Sequence, residues 1–419
     1  MDDKSSYING PPDVYPTDAE VPDVNPEEFR EGFGEYLSDT LDLDTWSTGT
    51  DLNLIYGRLA EEVREALEQE TALQKMIREE VFPRLSEYPG APEGAGVFEA
   101  NEEILEYIHR GLLFNGGVEA CDGTQQTHDT LPLTIHQVGI SLVSYQGNQG
   151  TWGQRLYRRD LRVSGKNPVE EMVEILERRE RRGGLNQSDR RNTLSELARR
   201  GIMAHAERAI LLHRSDATWR MGHGNPAPYE LITGSGSLDL MIESTKIIRD
   251  LVESHQKFVF VASEPRDRVL LTIGQALPPL KYAVVTTLKD MIDKIVDKGH
   301  YRMNITVDST WDGVRLGPEE WIKKFRDVVA PQVVVGVYRA TRLAPAQMFF
   351  AHVDHADIAA HIALADSVLQ EHRGFPLLID LAHNVCQGVF GGDALMGPVA
   401  TAYADAGAPW RYLSERMSR

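Results

Sequence analysis

Cysteine is nearly missing from this chain: Cys121 and Cys386 are the only two in 419 residues. Two such distant thiols build no framework of bridges, so the fold must rest on its apolar core. With 42% apolar side chains, that core can be large. Cys121, beside Asp122, reads as a small core residue rather than a nucleophile. Long apolar runs are missing too, and no stretch approaches the roughly 20 residues of a membrane-crossing helix. A secretory signal would open on positive charge, where this chain has Asp2 and Asp3. The expectation is a soluble, cytoplasmic protein without membrane contact. Positive charge is in short supply overall, with 44 Lys and Arg against 63 Asp and Glu and a net charge of -19. That balance argues against a generally sticky nucleic-acid binder.

The distribution of charge softens that exclusion. Residues 1–50 hold thirteen acids against Lys4 and Arg30, a net of -11, in a segment punctuated by Gly10-Pro11-Pro12, Pro16, Pro22 and Pro26. Residues 155–214 hold fifteen basic side chains against nine acids. A local basic groove can grip a polyanion on a molecule that is acidic as a whole, although a solvated helix surface gives the same pattern. Arg155, Arg158 and Arg159, interleaved with Trp152 and Tyr157, and the Arg190-Arg191 pair are the candidate nucleic-acid contacts.

Three regions follow from this reading: an acidic, irregular arm over 1–50, a helical region over 51–115 that packs on the core or on a partner, and a main domain over 116–419. Leu54, Leu59, Val63, Leu67, Leu73 and Ile77 mark a long amphipathic helix. Apolar β-branched runs predict strands at 117–121, 135–143, 229–233, 258–262, 281–285, 301–307 and 332–338, with helices at 101–113, 188–213, 238–254, 288–298, 318–328 and 357–372. The last is expected to be the final major helix. Strands alternating with helices predict a mixed α/β architecture.

Asp122-Gly123-Thr124 places a carboxylate at a glycine turn where a strand emerges. Glu207 lies in an interior-leaning helical segment, where a carboxylate needs metal, solvent or a cation; Arg200, Arg208 and Arg214 are the structural alternatives. His383 follows Gly374-Phe375-Pro376 and can ligate, orient water or carry a proton, or simply pack in a helix interface. Separated acids with a late histidine suit metal-assisted phosphodiester hydrolysis. Glu230 and Asp239 are secondary candidates. His352, Asp354, His355 and Asp357 form a local cluster without the HExxH spacing of a zinc hydrolase. Gly147-Asn148-Gln149-Gly150 and the glycines at 388–392 lack the Lys-Ser/Thr ending of a phosphate-cradling loop, which argues against ATP hydrolysis.

On these residues the chain resembles the NurA nuclease family. The motifs are Asp122-Gly123-Thr124, Glu207 after Arg190-Arg191, Leu231-Ile232-Thr233-Gly234, the strand over 258–262, and Gly374-Phe375-Pro376-Leu377-Leu378 with Ala382-His383. The resemblance covers roughly residues 50–410 in order, through short motifs. It implies an RNase H-like mixed sheet core with surrounding helices and a homodimer. It also implies Mn²⁺-dependent (or Mg²⁺-dependent) exonuclease and single-strand endonuclease activity on DNA, alongside a HerA-type hexameric ATPase in end processing or defence. Asp122 matches the family's first metal-binding aspartate, Glu207 its central glutamate and His383 its C-terminal histidine. The next aspartate is met by Thr233, a poor substitute for an anionic ligand. Asp239 or Glu230 would have to compensate; otherwise the chain is a weak or inactive NurA-like subunit of an ATPase complex.

Overall fold

A computed structural model describes residues 26–46, 52–129, 133–158, 169–170, 173, 197–233, 237–262, 267–296, 301 and 305–409. Two compact units divide the chain: residues 1–71 with 176–189, and residues 72–175 with 190–419. In the first, short helices at Pro26–Phe33 and Leu37–Leu41 bury no side chain, and Arg58 of the Leu52–Met76 helix pairs with Glu35 at 2.8 Å.

The second unit is built on a nine-stranded mixed sheet. In chain order its strands are β1 (Gly96–Glu99), β2 (Val118–Asp129), β3 (Thr134–Ser144), β4 (Gly147–Arg158), β5 (Trp219–His223), β6 (Phe258–Ala262) and β7 (Lys281–Thr287). A two-residue hairpin, β8 (Thr310–Trp311) and β9 (Val314–Arg315), stands apart, and β10 (Val333–Arg339) and β11 (Gln347–His352) complete the sheet. The spatial order is β1-β7-β10-β11-β6-β5-β2-β3-β4. β2 pairs parallel with β5, and β5 with β6; every other pairing in the sheet is antiparallel. The run β4-β3-β2-β5-β6, with β3 alone reversed, is the five-strand order of an RNase H-like core, as expected. Four antiparallel strands extend it on the β6 side.

Both faces of the sheet are covered, so its central strands read as continuous apolar runs. In β6, Phe258 and Phe260 join the core beneath the 202–214, 238–250 and 318–328 helices, while Val259 and Val261 face the core beneath the 356–367 and 377–390 helices. The same alternation in β2 turns Cys121 toward the first core and Ala120 toward the second.

Two elements differ from expectation and decide where the chemistry lies. Residues 229–232 form a short helix rather than a strand, and Thr233 is buried behind it with its Oγ1 donating to the Tyr229 carbonyl at 3.0 Å. The strand in this part of the chain is β5, whose Arg220 and Gly222 interrupt the apolar pattern. The chain also continues in helices past residue 372, with Leu377–Phe390 and Gly392–Asp405. The former carries His383. The expected strand at 301–307 is absent from its described residues, 301 and 305–307, which are irregular.

The Leu377–Phe390 helix is fixed at both ends. Asp366 accepts the Leu378 N–H at 2.8 Å and the Tyr145 hydroxyl, satisfying an orphan donor of the first turn. At the other end Phe390 lies flat over β3 and β4, because Gly139 and Gly153 have no side chains to hold it off. A Cβ at these positions would stand 2.2 Å and 2.4 Å from the Phe390 ring. Gly139→Ala is therefore expected to destabilise the fold by about 1–3 kcal/mol through overpacking, measured by denaturant unfolding. An unchanged midpoint would show that the helix docks elsewhere.

Candidate active site

The site forms where two parallel strands part. β2 and β5 are in register from Val118–Trp219 to Cys121–Gly222 and separate beyond that pair. The next residue on each strand is Asp122 and His223. Asp122 is buried, and its carboxylate takes a ring nitrogen on each oxygen: His223 Nδ1 at 3.0 Å on Oδ1 and His383 Nδ1 at 2.8 Å on Oδ2. An ionised carboxylate only accepts, so both Nδ1 atoms carry the proton and donate it. The Nε2 atoms are the ring nitrogens left for other partners, and the two imidazole side chains are 41% and 47% exposed against 4% for Asp122.

Local packing sets these three side chains. The His223 ring meets the edge of Phe375 at 5.6 Å, which brings the Gly374-Phe375-Pro376 turn against the end of β5. One helical turn beyond His383, Gln387 donates to Thr124 Oγ1 at 2.7 Å. Cys386 between them is buried against the same strands, and burial pushes its thiol up to about 12. Cys121 is likewise raised by burial, so both thiols are inert core groups, as was expected of Cys121.

Glu207 approaches from the opposite face of β2, on the Ile202–Arg214 helix. Its Oε1 lies over Gly123, at 2.6 Å from where a Cβ would be, so the glycine next to Asp122 makes room for the second acid. Its Oε2 accepts from Arg208 Nη1 at 2.6 Å. Arg208 is itself buried, and also donates to the carbonyls of Ala204, Asn225 and Pro226 at 2.9, 2.6 and 3.1 Å. The guanidinium thereby ties Glu207 to the turn that follows His223.

Burial and charge act on the acids in opposite ways. Burial alone would raise Asp122, but the two imidazoles hold it down at about 2. Burial raises Glu207 to about 7, with the Asp122 charge adding to the rise and Arg208 opposing it. Burial disfavours charge on His223, yet Asp122 raises it; for His383 the hydrogen bond to Asp122 is the leading cause of its rise.

The structure thus brings together Asp122, Glu207 and His383, which the sequence had singled out, and adds His223, which it had not. A strand-like alternation in Trp219-Arg220-Met221-Gly222-His223, ending before Gly224-Asn225-Pro226, was the available signal. Thr233, read as the strand-end position, lies outside the cluster because the strand ends ten residues earlier. Asp239 is not part of the cluster either: it is half-buried and holds the segment after residue 304, accepting from Thr306 N at 2.7 Å, Val307 N at 3.3 Å and the Thr306 hydroxyl. Glu230 sits on the short 229–232 helix. Arg155 donates to Gln137 Oε1 at 2.6 Å on β4, and Tyr157 beside it is exposed. The Arg158 side chain, and all of Arg159, Arg190 and Arg191, fall outside the described residues. His352 is buried and its Nδ1 accepts the Asp354 N–H at 3.2 Å. Among the described residues no three His, Cys, Asp or Glu side chains stand in a ready metal-holding arrangement, at 352–357 or elsewhere.

No protein-family model matches the chain, and no curated protein matches it. Similar solved structures include the NurA nuclease from Sulfolobus solfataricus, 10% identical, with a TM-score of 0.44 over 84% of this chain and 99% of that one. Another is a NurA structure with manganese, 8% identical, with a TM-score of 0.39 over 83% and 98%. Endonuclease V from Ciona intestinalis, in complex with a 24mer DNA containing an inosine followed by a ribo-adenosine, is 10% identical with a TM-score of 0.26 over 69% and 98%. At such scores the similarity carries no weight for the chemistry, which rests on the residues.

Proposed function

We propose that this chain is a metal-dependent DNA nuclease that hydrolyses phosphodiesters at the β2–β5 fork. The observation that carries this reading is the buried Asp122 carboxylate held between two imidazoles, with Glu207 reaching the same strand position across Gly123. The motif resemblance to NurA supports DNA as substrate, exonuclease and single-strand endonuclease action, a homodimer, and a HerA-type ATPase as partner in end processing or defence. A second reading, a catalytically weak or inactive NurA-like subunit of an ATPase complex, is favoured by the same fork, where an imidazole stands at the end of β5 and not a second carboxylate.

The divalent ion in this reading comes from the family resemblance: among the described residues no three acid, thiol or imidazole side chains stand ready to hold one, and Asp122 and Glu207 would have to exchange an imidazole or Arg208 for the ion to supply it oxygen. When bound, the ion would neutralise phosphoryl charge and lower the pKa of a bound water. The protein's own contribution is positional. Asp122 fixes which imidazole nitrogen carries the proton, leaving the Nε2 atoms as the groups that can meet a substrate or ligand. Arg208 holds the Glu207 carboxylate against the strand. Arg155 and Tyr157 on the exposed β4 edge are the described candidates for guiding a nucleic-acid strand.

Asp122→Asn and Glu207→Gln are each expected to lower Mn²⁺-dependent cleavage of labelled DNA by about a hundredfold or more, with folding preserved by circular dichroism. Unchanged cleavage in both pure variants would sink the reading.

The pKa directions also predict how the metal-free protein responds to pH. Asp122 is depressed, so its contribution to stability is present above the usual carboxylate value and is lost as pH falls toward about 2. Glu207 is raised to about 7, so folding binds its proton and stability declines as pH climbs from the ordinary carboxylate value to 7. The raised histidines act in the same direction, stabilising below their ordinary value of about 6.5 and less as pH rises past it. In EDTA the thermal midpoint should peak near about pH 5 and decline toward pH 8, with Glu207→Gln flattening part of that decline. Mn²⁺ should raise the midpoint more at the alkaline end, because protons compete for its ligands. A midpoint in EDTA that climbs from pH 5 to 8 would contradict the charge assignment.

A further inference from the structure

We infer that Arg373 grips the DNA strand by the phosphate next to the one that meets the imidazoles. This rests on the nuclease reading above and adds to it a substrate contact that no sequence motif had singled out. Arg373 opens the turn Arg373-Gly374-Phe375-Pro376, and its guanidinium lies over the Phe375 ring, 5.1 Å from the centroid. That ring is buried, and it also meets the His223 ring at 5.6 Å. Arg373 Nη1 donates to Asp380, which stands nearly one helical turn before His383 on the Leu377–Phe390 helix. The guanidinium is thus fastened to the ring that backs one imidazole and to the helix that carries the other.

The turn beneath it is tied down as well. Gln370 Nε2 donates to the Phe375 carbonyl at 3.0 Å and to Asp380 at 2.7 Å, and Gln347 Nε2 donates to the Arg373 carbonyl at 3.0 Å. Yet the Arg373 side chain remains 55% exposed, against 15% for Asp380. An ion pair that open to water contributes little as a clamp, so helix fixation alone does not account for the arrangement. A guanidinium has five N–H groups, and Asp380 occupies one side of it. The rest is a planar set of donors already oriented on an aromatic face, the form that suits phosphate oxygens and has its ordering cost met in advance. Arg208, by contrast, is buried and engaged with Glu207 and three carbonyls. Because the Phe375 ring lies between Arg373 and His223, the guanidinium serves a neighbouring phosphate of the same strand. Such a contact fixes the register of the strand without reading its bases.

The test is binding of fluorescently labelled single-stranded DNA to the full chain in EDTA, over a series of salt concentrations. Arg373→Gln is expected to weaken binding and to reduce the slope of log affinity against log salt by about 0.7, the share of one phosphate contact on a single strand. Arg373→Lys and Asp380→Asn, which both keep the positive charge, should retain the slope. A guanidinium that only clamps the helix gives another pattern: the thermal midpoint falls in Arg373→Gln and Asp380→Asn alike, and neither slope changes. A second measurement needs no variant to fold. Wild type is treated with phenylglyoxal, an arginine reagent, and DNA should protect Arg373 from modification as mapped by peptide mass. An unchanged slope in folded Arg373→Gln, or an Arg373 that DNA leaves unprotected, overturns the inference and leaves the nuclease reading intact. No binding of DNA by wild type, in EDTA or with Ca²⁺ in its place, overturns both.

Discussion

A buried carboxylate between two imidazoles is the constraint on which the rest of this architecture turns. Taking Asp122 out of water costs several kcal/mol unless its oxygens find donors. Each oxygen has one, and the two come from elements remote in sequence: His223 from the last position of β5 and His383 from the middle of the Leu377–Phe390 helix. The three elements are therefore fixed relative to one another by one electrostatic requirement. Losing either histidine would leave a half-satisfied buried charge, which is why the surrounding structure reinforces both. Phe375 backs the His223 ring, Gln387 ties the helix to Thr124, and Phe390 seats its end over Gly139 and Gly153.

Glu207 is held on different terms. Asp122 is stabilised as an anion, whereas Glu207 is disfavoured as one by burial and kept in place mainly by Arg208. A glutamate in that condition gains more from a nearby cation than Asp122 does, because the cation relieves a cost that the fold leaves standing. This is a local expense of the kind that concentrates at working sites. Gly123 completes the arrangement. Its missing side chain is the space the Glu207 carboxylate occupies, so the residue type next to Asp122 is fixed by the acid across the strand.

Much of this could be read from the chain. β6, β7, β10 and the Pro318–Val328 helix were legible because central strands and amphipathic helices carry strong, regular apolar patterns. Asp122, Glu207 and His383 were legible because each stands in a short motif whose residue types chemistry constrains. No strand was expected over β4, because its glycines and glutamines have little strand propensity of their own; pairing with β3 makes it one, an override by tertiary context. His223 was missed for a related reason. Five residues containing an arginine and a glycine do not announce a strand, and the more apolar Tyr229-Glu230-Leu231-Ile232-Thr233 drew the assignment ten residues downstream, although its apolar side chains serve a helix packed in the core.

The overall charge of -19 then takes on a definite role. Charges more than roughly 8–10 Å from a phosphate are largely screened at physiological salt, so the acidic segment over 1–50 need not oppose binding at the fork unless it lies close by. What must be positive is the immediate surroundings of the scissile group. Arg208 is spent on Glu207 and backbone carbonyls, and Arg155 already serves Gln137. On the nuclease reading, the two exposed imidazoles are the groups at the fork, among the described residues, that can meet the phosphate; most of the basic side chains over 155–214 fall outside the described residues. Binding of that kind is short in range and tied to the site itself.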